Sequence, residues 1–134
     1  MNELFSIKGK VAIVTGAGGV LGGSIAKSLV SQGACVVAMD IRQEQLYMRV
    51  EELKRDGGDA IGIVANVLDI QGLETAAEKI VEKWGRIDIL LNIAGGNIPG
   101  ATLAPEQSFF DMQINDWDKV TQLNMNGTVY PSLV

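Results

Sequence analysis

Val11-Ala12-Ile13-Val14-Thr15-Gly16-Ala17-Gly18-Gly19-Val20-Leu21-Gly22-Gly23 is the stretch that decides the fold. Val11 to Thr15 is a short apolar run rich in β-branched residues, the pattern of a strand buried on both faces. Glycines at 16, 18, 19, 22 and 23 follow at once, and Ser24-Ile25-Ala26-Lys27-Ser28-Leu29-Val30 then carries apolar residues at helical spacing. Strand, glycine turn and helix in that order set backbone N–H groups at a helix N-terminus, where a phosphate can rest against them.

The same alternation continues outward. The first helix is predicted from about Val20 to Gln32, ending at Gly33, a residue that tolerates left-handed backbone angles. Ala34 to Met39 reads as a second buried strand ending at Asp40, and Gln43 to Arg55 as a helix with Leu46, Val50 and Leu53 on one stripe. Asp56-Gly57-Gly58-Asp59 is a turn, Ala60 to Ala65 a third strand, Ile70 to Trp84 a third helix closed by Gly85, and Ile87 to Asn92 a fourth strand. Strands alternating with helices of this length make βαβ units and a parallel sheet, here a Rossmann-like doubly wound α/β fold. Right-handed crossovers give the spatial order 3-2-1-4. Residues 95–110 then form a long loop broken by Gly95, Gly96, Pro99, Gly100 and Pro105. Asn115 or Asp116 is expected to cap a final helix containing Trp117, Val120, Leu123 and Val129.

A chain of 134 residues, 47% of them apolar, makes one domain with a real core. Its net charge of −5 argues against a nucleic-acid or anionic-membrane partner. Cys35 is the single cysteine, so there is no disulfide framework and a reducing cytoplasm is expected. The chain has no histidine, which removes His-based triads and most zinc sites, and no metal is expected. Met1-Asn2-Glu3-Leu4-Phe5-Ser6-Ile7-Lys8 has no signal-peptide pattern, and no apolar stretch approaches transmembrane length.

Glycines alone could be structural, but their placement and Asp40 favour a dinucleotide site. Asp40 ends the second strand about 20 residues on, where a carboxylate can accept both hydroxyls of the adenine-side ribose and repel a 2′-phosphate. NAD is therefore expected over NADP, with Arg42 read as a solvated residue at a helix start. The usual fingerprint, read from Gly16, needs a glycine at 21, where this chain has Leu21, so the spacing is one residue longer. A P-loop is excluded because no Gly-Lys-Ser/Thr follows the cluster. A methyltransferase would place an acidic residue where Thr15 stands.

Thr15-Gly16-Ala17-Gly18-Gly19-Val20-Leu21-Gly22 resembles the Thr-Gly-x-x-x-Gly-x-Gly loop of the short-chain dehydrogenase/reductase family. Three further stretches resemble the same family in the right order: Asn66-Val67-Leu68-Asp69, then Trp84 to Gly95 with Asn92-Ile93-Ala94-Gly95 at its end, then Leu123-Asn124-Met125-Asn126-Gly127. The loop Gly95 to Thr102, with Gln107 to Asp111, is similar to a branch acting on sugar acids, such as mannonate/fructuronate oxidoreductases. The resemblance implies cofactor contacts at Gly16, Gly18, Gly19, Val20, Leu21, Gly22, Asp40, Asn66, Val67, Asn92, Ala94 and Gly95. Three departures stand out. Val20 occupies a usual glycine position and should crowd the pyrophosphate or shift the helix start. Asn66 replaces an Asp, and Ile93 replaces an Asn that braces the strand end.

The family also implies hydride transfer between nicotinamide and a carbinol carbon, with a Tyr as acid/base, a Lys four residues later and a Ser. A phenol of pKa near 10 needs such a neighbouring cation to act at neutral pH. Here Tyr47 is followed at the fourth position by Glu51 and Tyr130 by Val134, so neither matches; both are expected to be partly buried helix residues. Of the catalytic set only Asn124 is present by resemblance, implied to kink its helix and hold a water through a backbone carbonyl. The expectation is residues 1–134 as an NAD(P)-binding domain, the N-terminal part of a longer parent, with its sheet truncated after four strands. The implied function is oxidation or reduction of a small-molecule polyol or sugar acid by a homo-oligomeric parent. A non-catalytic nucleotide-binding module or an inert fragment is the alternative. Ile87 to Leu91 would present an apolar edge, so the isolated chain is expected to self-associate.

Overall fold

The computed structural model describes residues 3–134; Met1 and Asn2, the start of the segment read as lacking a leader pattern, lie outside the described residues. β1 (Val11–Thr15), α1 (Val20–Ser31), β2 (Cys35–Asp40), α2 (Gln43–Arg55), β3 (Ala60–Val64), α3 (Ile70–Trp84) and β4 (Ile89–Leu91) alternate along the chain. All strand pairs are parallel, in the order β3-β2-β1-β4. This is the predicted Rossmann-like sheet.

Every residue of β1 is buried, because helices cover both faces. On one face Val14, Val36 and Ala38 pack with Ala26 and Val30 of α1 and Leu46, Val50 and Leu53 of α2. On the other, Ile13, Val37 and Met39 pack with Leu73, Ala76 and Ile80 of α3. The period-2 alternation of the strands thus feeds two separate half-cores. Asp69 caps α3 by accepting from Gly72 N–H at 3.2 Å, and Gly85 ends it at φ +74°.

β4 is shorter than the predicted Ile87 to Asn92, because side chains take over the ladder at both of its ends. Asp88 Oδ2 accepts Val11 N–H at 2.8 Å, while Asp88 N–H donates to the Val11 carbonyl at 2.9 Å. At the other end Thr15 Oγ1 accepts Ile93 N–H and Ala94 N–H, both at 3.0 Å. The outer side of β4 carries no partner strand among the described residues. A cavity of about 260 Å³ opens beside it, lined in part by Leu73, Ile80, Leu90, Pro131 and Val134.

The last helix departs from expectation at its start, while its interruption falls at Asn124, where the resemblance implied a kink. It starts at Ile114 with Gln113 as the N-cap, not at Asn115 or Asp116. The Gln113 carbonyl accepts from Asp116 and Trp117, which places Asn115 and Asp116 inside the first turn. Three segments replace one helix: α4 (Ile114–Thr121), a π turn over Gln122–Asn126, and α5 (Gly127–Leu133). The loop before it holds two 3-10 turns, Pro99–Ala101 and Phe109–Asp111, the second closed by a Ser108/Asp111 capping box. Tyr47 is exposed, contrary to expectation, because it lies off the Leu46/Val50/Leu53 stripe; Tyr130 packs at the α3 side of the core. Among the described residues no helix is long and apolar enough to cross a membrane.

Candidate functional site

Parallel strands all end on one side of the sheet, and crossovers lead away from β1 in opposite directions, leaving a crevice at their carboxyl ends. β1 runs into Gly16, whose φ of +65° suits glycine alone; a Cβ there would lie 2.9 Å from Ala94 N. The chain turns within three residues, Gly19 N–H returning to the Gly16 carbonyl at 3.1 Å, and α1 begins at Val20. Gly19 is the N-cap and offers no side chain to the helix end, and the first turn contains no acidic residue. The Val20, Leu21 and Gly22 amides have no acceptor within the helix. That end of α1 carries the positive pole of the helix dipole with no acidic residue in its own first turn.

Val20 is the first residue of α1. Its side chain is 91% exposed and stands beside the open amides, with Leu21 next to it at 64%.

Asp40, at the end of β2, is 5% exposed. Its carboxylate is saturated. Oδ1 accepts Arg42 N–H at 2.9 Å and Arg42 Nε at 3.0 Å; Oδ2 accepts Gly18 N–H at 2.9 Å and Arg42 Nη2 at 3.1 Å. Burial by itself would push the Asp40 carboxyl up. The hydrogen bonds from the Arg42 side chain, the Arg42 and Gly18 amides and the Arg42 charge outweigh it and hold the pKa below its ordinary value. Arg42 is thus no solvated bystander: it forks the carboxylate while its own side chain stays half exposed.

Asn66 is exposed beyond β3, its Oδ1 accepting Leu68 N–H at 2.9 Å, and Val67 is buried against Gly127. Gly16, Asp40, Asn66, Val67, Ala94 and Gly95 share the wall of one cleft of about 230 Å³. Met39, Arg42 and Leu123 complete it in part. Six of the predicted contact residues, drawn from the ends of four separate strands, therefore meet in one place. Gly18, Gly19, Val20, Leu21 and Gly22 form the turn and helix start beside it. Asn92 is not in the cleft wall: its Nδ2 donates to Ser132 Oγ at 3.3 Å, and its buried Oδ1 has no hydrogen-bond partner.

Asn124 sits in the middle of the π turn. Its Nδ2 donates to the Val120 and Gly96 carbonyls at 2.8 and 2.7 Å, and its Oδ1 accepts Gly96 N–H at 3.2 Å. The side chain therefore clasps the loop after β4, and a Cβ on Gly95 would lie 2.5 Å from its oxygen.

Thr15, the first residue of the glycine motif, has a bracing role that its place in the sequence does not state. It is fully buried, and its hydroxyl, besides the two amides it accepts, donates to the Leu91 carbonyl at 3.4 Å. This supplies the brace at the strand end where Ile93 offers none. A hydroxyl at the end of an otherwise apolar buried strand was the available signal, since a buried polar group needs partners. Thr15→Val should destabilise the chain by about 1–3 kcal/mol by leaving two buried amides unpaired, readable as a lower urea midpoint at unchanged slope.

A family model described as short chain dehydrogenase matches residues 10–133. D-threitol dehydrogenase of Mycolicibacterium smegmatis is 36% identical over 124 residues, covering 92% of this chain and 45% of that protein. An uncharacterized oxidoreductase of Bacillus subtilis is 36% identical over 137 residues, covering 96% of this chain and 49% of that protein. The chain thus spans about half the length of the curated relatives it matches. Among solved structures, a Haemophilus protein described as a candidate D-mannonate oxidoreductase with bound NAD superposes with TM-score 0.88 at 32% identity, covering 96% of this chain and 50% of that one. An NAD-bound xylitol dehydrogenase gives TM-score 0.85 at 28% identity, with 95% and 46% covered.

Proposed function

This chain belongs to the short chain dehydrogenase family, and on that premise we propose that it is the NAD-binding domain, the N-terminal part of an oxidoreductase that interconverts an alcohol and a ketone. The observation that carries this reading is the cleft. An uncapped helix N-terminus, a glycine-rich turn and a buried ionised Asp lie together on the carboxyl side of the sheet. They fit a pyrophosphate and a ribose diol.

In this reading the Val20, Leu21 and Gly22 amides hold the pyrophosphate, with Gly16, Gly18 and Gly19 forming the turn beneath it. Asp40 accepts the adenine-side ribose hydroxyls once the Arg42 fork swings off, and Asn66 and Val67 flank the adenine. Ala94 and Gly95 border the far side, Asn92 stiffens the end of β4, and Asn124 keeps the Gly95–Gly96 loop in place. When bound, the nicotinamide supplies a carbon that gives or takes a hydride. The ionised Asp40 disfavours a 2′-phosphate, so the cofactor is NAD rather than NADP.

The substrate class is a polyol or a sugar acid, supported by the threitol, xylitol and mannonate activities named for similar proteins. Neither tyrosine has a lysine four residues on, so we assign this chain cofactor binding without turnover by itself, and its single cysteine supports a place in the cytoplasm. In titration calorimetry the chain should bind NAD at least about tenfold more tightly than NADP. Binding of neither dinucleotide would sink the reading and leave an inert fragment.

We assign a homo-oligomer to the full-length enzyme, and for the isolated chain we expect self-association through β4. Its unpaired edge and the apolar cavity beside it leave ladder groups and side chains unsatisfied. Sedimentation at rising concentration should show dimers or larger species; a single monomer boundary at all concentrations would contradict it.

A further inference from the structure

Arg49, on α2, has no part in the cofactor contacts above, yet its side chain is 17% exposed and reaches under the glycine turn. Its Nε donates to the Ala17 carbonyl at 3.1 Å, and Nη2 approaches the Gly19 carbonyl at 3.4 Å. Nη1 pairs with Glu52, which also pairs with Lys27 of α1 at 3.1 Å. The guanidinium lies across Gly23, where a Cβ would sit 2.2 Å from Cζ. Gly23 therefore makes room for Arg49.

A peptide unit is planar and trans, so its N–H points opposite to its C=O. The Gly19 carbonyl is also held by Gly23 N–H at 2.9 Å, so its plane is set by the helix. The Ala17 carbonyl takes its hydrogen bond from Arg49 Nε alone among the described residues. Turning that carbonyl toward α2 aims the Gly18 N–H the other way, onto Asp40 Oδ2 at 2.9 Å.

We propose that Arg49 is a positioning residue for the dinucleotide site: by holding the Ala17–Gly18 peptide plane, it fixes the glycine turn and the Asp40 carboxylate that meets the ribose. The role rests on the NAD reading for its consequence, but its mechanism is a property of the chain itself. Arg is required rather than any cation, because a rigid fork must reach a carbonyl across Gly23 while also meeting Glu52.

The test compares the full chain with Arg49→Met, Arg49→Lys and Gly23→Ala, by amide hydrogen exchange at Gly18 and by NAD calorimetry. Gly23→Ala displaces the guanidinium while adding a better helix former, which offsets part of the cost of the lost Ala17 hydrogen bond, so the variant should remain folded. In Arg49→Met and Gly23→Ala, Gly18 should exchange roughly tenfold faster with Val37 unchanged, and NAD should bind roughly tenfold more weakly. Lysine should not rescue either effect. Unchanged Gly18 exchange in folded Arg49→Met, or in Gly23→Ala if Arg49→Met does not fold, overturns the proposal, as does full rescue by lysine. If the unaltered chain fails to bind NAD, the functional reading falls, while Gly18 exchange still decides the role of Arg49.

Discussion

Asp40→Ala should bind NAD on the order of 30- to 150-fold more weakly than the unaltered chain in titration calorimetry. Two hydrogen bonds from ribose hydroxyls to a charged acceptor are lost, worth about 2–3 kcal/mol after the displaced Arg42 contacts are offset. The same substitution leaves Gly18 N–H without its acceptor and frees the Arg42 guanidinium, so preference for NAD over NADP should disappear together with affinity. Retained NAD affinity in Asp40→Ala would place the ribose elsewhere. The carboxylate also sets an acid response. Its folded pKa lies below its ordinary value, so it adds stability at pH above about 3.9, and that contribution is lost as pH falls through the folded pKa. Asp40→Asn removes this component, and its melting temperature should fall less steeply than that of the unaltered chain below about pH 4. Identical acid slopes would show that Arg42 and Gly18 do not hold the charge.

Gly22→Ala should abolish measurable NAD binding and destabilise the chain by about 1–3 kcal/mol, the usual range for a forced extra methyl. The physical case is the identity of the obstructing atoms. A Cβ at Gly22 would lie 2.3 Å from the Gly16 carbonyl oxygen and 3.0 Å from Ala17 Cα, and backbone cannot step aside as a flexible side chain can. Either α1 moves off the turn or the turn opens, and both separate the three free amides from the cleft. Gly19→Ala is the matched control. Its nearest contact would be an ordinary 3.4 Å, and its φ of −79° is open to any residue, so stability should change by less than about 0.5 kcal/mol. Equal damage from both substitutions would mean that loop entropy, rather than helix–turn contact, governs the cradle.

The elements could be read from the chain because their causes are local. Strand runs, helix stripes and the turn glycines at 33 and 85 lie within a few residues of what they control, and α2 and α3 have the bounds that their periodicity predicts. The order β3-β2-β1-β4 also followed, because crossover handedness depends on backbone chirality and not on particular side chains. The last helix was less legible. A π turn is an energetic compromise made with a neighbour, here Asn124 reaching Gly96 across 28 residues, and no helical period announces it.

By itself the sequence determined the alternating α/β fold, the glycine-rich turn at residues 16–22, the carboxylate at the end of β2 and, by resemblance, the family. Only the tertiary structure decided how these parts are held: Thr15 tying β1 to the chain beyond β4, Arg42 forking Asp40, Arg49 turning the Ala17 carbonyl, and Asn92 facing Ser132 outside the cleft. The reason is reach. Secondary structure follows from spacing along the chain. A hydroxyl and an amide 79 residues apart become partners only when parallel register brings two strand ends side by side.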